Sequence, residues 1–329
     1  MIPNRRVSAS GARYLARTMR FTWVFVAGVL CLGCGSSEKD DGGGTGGGGG
    51  ASGPWRMDAP LPEAASYLSA AEADGKIWVV GGIAGSVSNK VWSYDPAADS
   101  WVAGPDLPEA RELAAVTSVA GDLYVVGGFS EIGATATDST YVLPAGGSAW
   151  QKKSSLLLNR AGGYATSFDG QVYVVGGTDD SKLLGDTVVF APSTNSWAVK
   201  SAILNPRVRF AGFVLTGWVY AVAGSTESGG VTNKVDVYEP QGDVWTGGPD
   251  FPTPRAGAGA AVLDGKAYVA GGDAAGTVDA FDGTSWSSAP ALGTPRLGPA
   301  VVAAGGRVYV IGGELPEGGM TNVVESYAP

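Results

Sequence analysis

Five arginines recur at a fixed place. Arg111, Arg160, Arg207, Arg255 and Arg296 each follow a tryptophan by ten residues, namely Trp101, Trp150, Trp197, Trp245 and Trp286; after a sixth tryptophan, Trp55, that place holds Ala65. Guanidinium groups gathered around one opening would suit a carboxylate or phosphate, because the planar fork meets two oxygens at once. The plainer reading is that each arginine bonds local carbonyls or a nearby acid and fixes its own repeat, and recurrence in five repeats of six favours it. Arg209 has no counterpart in the other repeats, which sets it apart from Arg207. The acids that could act with them are Glu131, Asp179, Asp180, Glu227 and Glu314, with Asp138, Asp186, Asp273 and Glu317 beside them. Two converging carboxylates could hydrolyse a glycoside. Oxygen ligands alone could hold calcium, but no D-x-D-x-D-G loop is present, and no metal or cofactor is expected.

Composition removes most other chemistry. The chain has no histidine, and its two cysteines, Cys31 and Cys34, fall near the N-terminus. The body therefore lacks an imidazole base, a Ser-His-Asp triad, a thiolate nucleophile and a disulfide. With the five arginines before residue 34 set aside, 17 basic residues face 31 acidic ones, a net charge of −14. Such a field repels nucleic acid, and no Lys/Arg stripe offsets it.

The elements that must position these residues come from a repeat. Each tryptophan lies 26 residues before a glycine-rich pair: Gly81-Gly82, Gly127-Gly128, Gly176-Gly177, Ala223-Gly224, Gly271-Gly272 and Gly312-Gly313. Three residues before each pair stands an aromatic (Trp78, Tyr124, Tyr173, Tyr220, Tyr268, Tyr309), and six before it a glycine. Six after each tryptophan stands a large apolar residue: Leu61, Leu107, Leu156, Ile203, Phe251 or Leu292. A period of 41–49 residues with this many matched positions means repeated supersecondary units. The apolar run before each pair reads as a strand, the glycine ahead of it as a turn, and the pair itself as architecture rather than a ligand loop. A third strand shows in stretches such as KVDVYEP (234–240), and the tryptophan marks a fourth.

Six units of four antiparallel strands, without helical periodicity, predict an all-β six-bladed β-propeller over residues 54–329. The paired glycines, the tyrosine before them and the arginine opening each unit resemble the kelch family. The last unit, ending in VVESYAP, lacks its tryptophan strand, so the strand at Trp55 is expected to join the last blade and close the ring. Length varies in the loops between second and third strands, such as 129–140, 178–186, 225–234 and 314–322. Antiparallel order puts these loops and the arginines on one face, the expected binding face, to which Phe129 also belongs.

The kelch resemblance implies a non-enzymatic binding module with a protein partner. It leaves a small-molecule enzyme on anionic sugars as the alternative, since some envelope kelch propellers are sialic-acid mutarotases, and polysaccharide binding as a third. Copper oxidases of this fold need His ligands and a Tyr–Cys crosslink, which this sequence lacks.

Ahead of the repeats, residues 1–33 hold a basic leader and the apolar run FTWVFVAGVLCLG (21–33), too short to span a bilayer. Met19 offers a second possible start. CLGCGSS (31–37) resembles a bacterial lipoprotein signal with Cys34 as the lipidated residue, although Cys31 stands where that family usually has leucine. Residues 34–53, rich in glycine, are expected to form a disordered tether. The resemblance implies a cell-envelope protein anchored by lipid. Gly35, rather than Asp, after the cysteine resembles the pattern for export to the outer membrane.

Overall fold

The runs ahead of the glycine pairs are rich in valine and tyrosine, which suit a pleated strand covered on both faces. In the third repeat Gln171–Val175 pairs antiparallel with Tyr164–Phe168 and Thr187–Ala191, and Ser196–Lys200 completes the sheet. Asp169 and Gly170 join the first two strands at φ 49° and 69°, the two-residue turn whose twist matches a hairpin. This computed structural model describes residues 54–132 and 134–329. The expected signal (1–33), the tether (34–53) and Cys34 lie outside the described residues.

Among the described residues there are six such four-stranded antiparallel sheets and no helix. Their first strands are Ser69–Ala73, Ala115–Val119, Tyr164–Phe168, Ala211–Leu215, Ala258–Leu263 and Ala300–Ala304, opening blades 1 to 6. Each first strand packs on the next and the last packs on the first, so the blades form a closed ring. In the sixth blade the outer position is taken by Arg56–Met57, which pairs antiparallel with Val324–Tyr327, Arg56 opposite Ser326 and Met57 opposite Glu325.

The core is correspondingly divided. Six apolar clusters each straddle two neighbouring blades; one joins Ile77, Val79 and Tyr94 of blade 1 to Val302, Tyr309 and Ile311 of blade 6. The tryptophans tie the seams. Each indole N–H donates to a backbone carbonyl in the connector leaving the preceding blade: Trp55 to Pro290, Trp101 to Ala59, Trp150 to Pro105, Trp197 to Ser154, Trp245 to Ser201 and Trp286 to Pro249, at 2.8–3.2 Å. These are inter-blade clips, and the rings also supply buried area.

Two residues before the tryptophan, two blades add a carboxylate to the same clip. Asp99 accepts from the Ala59 N–H (2.7 Å) and the Tyr94 hydroxyl (2.6 Å), and Asp243 from the Ser201 N–H and the Tyr238 hydroxyl, both at 2.8 Å. The Tyr94 hydroxyl, then the Ala59 N–H, hold Asp99 below the usual carboxylate range. At Asp243 burial pushes upward but is outweighed by the Ser201 and Tyr238 bonds, so its pKa is also lowered. A lowered folded-state pKa means that this stabilisation is complete above the unfolded carboxylate pKa, about 4, and is lost as pH falls through the lower folded values. Thermal melts from neutral pH into acid should therefore show a falling midpoint below about pH 4. Asp99→Asn with Asp243→Asn should flatten that fall, and an unchanged slope would remove these two groups from the acid response.

Candidate functional site

The face of interest is built where each arginine opens a blade. The residue after the arginine forms a bridge to the residue after the glycine pair: Glu112 with Phe129, Ala161 with Thr178, Val208 with Ser225 and Leu297 with Glu314. The arginine connector and the loop between second and third strands thus share one face. The second residue of each glycine pair then donates its N–H to the neighbouring blade, as Gly128 does to Arg160 O and Gly177 to Arg207 O, at 2.8 and 3.0 Å.

The five guanidinium groups turn inward. Arg111, Arg160, Arg207, Arg255 and Arg296 are 0–3% exposed. Arg207 donates to the carbonyls of Asn205, Ala223 and Lys234 and pairs with Asp236; Arg296 donates to Thr294, Gly312 and Val323 and pairs with Glu325. Arg255 pairs with Asp273 and Asp279, Arg160 with Asp186, and Arg111 with Glu109. Each closes the top of its own blade where the second and third strands part. Burial pulls the pKa of Arg207 and Arg296 down, against the raising pull of Asp236 and Glu325. For Asp279, burial raises the pKa and Arg255 only partly offsets it.

Two residues past the arginine position lies a second ring. Tyr67, Leu113, Gly162, Arg209, Gly257 and Gly298 all have φ of 51–72°. Each backbone N–H donates to the carbonyl of its counterpart in the preceding blade: Leu113 to Tyr67, Gly162 to Leu113, Arg209 to Gly162, Gly257 to Arg209, Gly298 to Gly257 and Tyr67 to Gly298, at 2.8–3.1 Å. Six hydrogen bonds therefore run around the axis and fix the rim of the axial mouth. Inside it is a cavity of about 110 Å³ lined by Tyr67, Leu113, Arg209 and the three ring glycines, among others.

Three of the six ring positions carry side chains, and these decide the chemistry of the mouth. The Tyr67 ring lies against Gly298, where an added Cβ would come within 2.7 Å of it. Burial raises the Tyr67 pKa, opposed by the nearby Arg209, which also hydrogen-bonds it; Glu314 and Glu112 add to the rise. Arg209 donates to the Ser225 hydroxyl at 3.3 Å. The cavity lining thus holds one guanidinium and one phenol, with Glu112 and Glu314 near enough to act on the phenol. Among the described residues no three of His, Cys, Asp or Glu gather to hold a metal ion.

The other predicted face residues are dispersed. Phe129 is buried in a small cluster with Ala136 and Ala161. Glu131 stands exposed on the hairpin Phe129–Glu131/Ala134–Ala136. Asp179 caps its own loop through Ser181 and Lys182, and the Ser181 hydroxyl is the main cause of its lowered pKa. Asp180 reaches across to the Ala136 N–H of blade 2 (2.8 Å), and Glu227 to the Leu183 N–H of blade 3 (3.0 Å). The loops of blades 2, 3 and 4 are therefore laced together by two of the acids. Sequence reasoning missed Tyr67, Leu113 and Glu112. The register two residues past the arginine position would have found the first two, because glycine fills three of its six places.

Comparisons agree with this geometry. A family model described as the kelch motif matches residues 64–108 and 160–201. The chain is similar to beta-scruin of Limulus polyphemus, 26% identical over 144 residues, which are 42% of this chain and 16% of that protein. It is similar to human kelch repeat and BTB domain-containing protein 12, 29% identical over 37% of this chain and 23% of that protein, and to human kelch-like protein 33, 32% identical over 33% and 21%. The chain spans less than a quarter of the length of these curated relatives. Among solved structures it resembles YjhT, with a TM-score of 0.73 at 17% identity, covering 80% of this chain and 95% of that one; at that identity the likeness concerns the fold. The described domain is a six-bladed β-propeller of four-stranded blades, and two of its stretches, 64–108 and 160–201, match the kelch motif.

Proposed function

We propose that the protein is a non-enzymatic binding module of the bacterial cell envelope, anchored through lipid on Cys34, that grips a protein partner on the face carrying the loops between second and third strands. The observation that carries this reading is the contrast within that face. Its floor is fixed by a ring of backbone hydrogen bonds and by inward-turned arginines, while length varies in the loops standing on it. The kelch-repeat relatives support a scaffold of this kind. Strand direction adds to it. The outer strand runs toward the loop face and the third strand away from it, so residues 54 and 329 both leave from the opposite blade ends.

The alternative, anionic-sugar chemistry at the mouth, has Arg209 and Tyr67 in its favour. Against it stand the five other arginines, already committed to carbonyls and acids of their own blades.

Crosslinking in intact cells followed by recovery of the tagged chain tests the reading. A partner recovered with the wild-type chain is expected to be lost when 129–140 and 178–186 are shortened, and Cys34→Ser should move the chain to the soluble fraction. Equal recovery after shortening would reject this face, and a Cys34→Ser chain still in the membrane would reject the anchor.

A further inference from the structure

The connectors between blades share one plan, and two of them break it. The residue six after each tryptophan is a buried anchor, 1–5% exposed in all six connectors. The next residue is Pro62, Pro108, Leu157, Leu204, Pro252 or Gly293, and the one after it Glu63, Glu109, Leu158, Asn205, Thr253 or Thr294. In the other four connectors the fold thus places an apolar anchor with no large aliphatic side chain in the two positions beyond it. Leu157, Leu158 and Leu204 nonetheless stand 61%, 48% and 54% exposed.

Their surroundings extend the exception. The Leu156 N–H donates to Asp138 O (2.8 Å) and the Ile203 N–H to Gly185 O (2.7 Å), which sets the leucines beside the variable loops of blades 2 and 3. Ile132 and Val231, in the loops of blades 2 and 4, are exposed as well. Among the described residues, half of the ten exposed large apolar side chains therefore lie on one arc of the loop face. A gathering of this kind marks a contact surface more often than an accident of composition. The lacing by Asp180 and Glu227 holds the arc's loops in one arrangement.

Charge selects the partner. The loops 129–140, 178–186 and 225–234 carry Glu131, Asp138, Asp179, Asp180 and Glu227 against Lys182, once Asp186 is matched by Arg160 and Lys234 by Asp250. We propose that the arc over blades 2–4 receives a basic protein segment, whose apolar side chains seat on Leu157, Leu158 and Leu204 while its lysines or arginines meet the loop acids. This rests on the reading of the loop face as a protein-binding surface and adds the chemistry of the partner.

The test uses the full chain and three labelled peptides, alternating leucine with lysine, leucine with glutamate, and serine with lysine, followed by fluorescence anisotropy. The leucine–lysine peptide is expected to bind about tenfold tighter than either other peptide. Leu157→Pro, Leu158→Thr and Leu204→Pro together install residues that other connectors carry, without changing charge. The triple variant should lose about tenfold in affinity for that peptide with its melting midpoint held, and Leu158→Thr alone about threefold. Equal binding by wild type and triple variant, or by the serine–lysine peptide, would overturn the proposal. So would uptake by phosphatidylcholine vesicles that the triple variant loses, which would assign the arc to lipid. A cellular partner that needs the loops but ignores the triple variant would leave the loop-face reading standing and remove this arc from it.

Discussion

Arg207→Ala is expected to cost the fold about 4–5 kcal/mol, and Asp236→Ala about 3–4 kcal/mol. The pair is 0% and 1% exposed, so neither partner can turn to water when the other is removed. In Asp236→Ala the guanidinium keeps the carbonyls of Asn205, Ala223 and Lys234 as acceptors, which places that variant lower. In Arg207→Ala the carboxylate keeps only the Asn205 backbone and side-chain N–H groups, the carbonyls lose a donor, and a cavity opens. Lys90→Ala is the control. Its bridge to Asp106 has side chains 50% and 43% exposed, and such pairs are worth at most about 1 kcal/mol. Arg207→Met with Asp236→Leu should return to within about 2 kcal/mol of wild type, because an apolar pair needs no desolvation of charge. Urea unfolding of the five proteins decides. If Arg207→Ala costs no more than Lys90→Ala, the arginines are not blade clamps, and a ligand role for them regains its ground.

That experiment bears on what the sequence could carry. The recurrence of the arginines was legible, and so was the plainer reading of it, because a feature present in five repeats of six has to serve something present in every repeat. Their partners were not legible. Asp236, Asp279 and Glu325 share the second place of the third strand, but Trp92, Tyr141 and Val188 hold that place in the other blades, so no matched column announces it. The tryptophans were readable as core, whereas their carbonyl acceptors, four residues past the previous tryptophan, are backbone atoms that leave no mark in the sequence. Loop contacts such as Asp180 with Ala136 join residues of different blades and follow from the curvature of the ring. The fold explains the residues that keep the register, and leaves unexplained those that depart from it, as at Arg209, Leu157 and Leu204.

Gly127→Ala is expected to cost more than about 4 kcal/mol, where Gly170→Ala costs about 1–2 kcal/mol. Both glycines have a positive φ, +61° and +69°, so a methyl group brings the same left-handed strain to each. They differ in what the methyl meets. At Gly170 nothing lies within 4 Å, and the strain is the whole penalty. At Gly127 the added Cβ would fall 2.1 Å from Arg160 O and 3.1 Å from its carbonyl carbon, both backbone atoms of the next blade. Relief requires the two blades to part, and the Gly128 N–H, which donates to that same oxygen at 2.8 Å, would lose its bond as they did. The difference between the two variants, read from thermal or urea unfolding, therefore measures how tightly the seam beneath the loop face is closed. Equal losses would mean that the seam has slack, and the glycine pair would then need an explanation other than close approach between blades, a ligand among them.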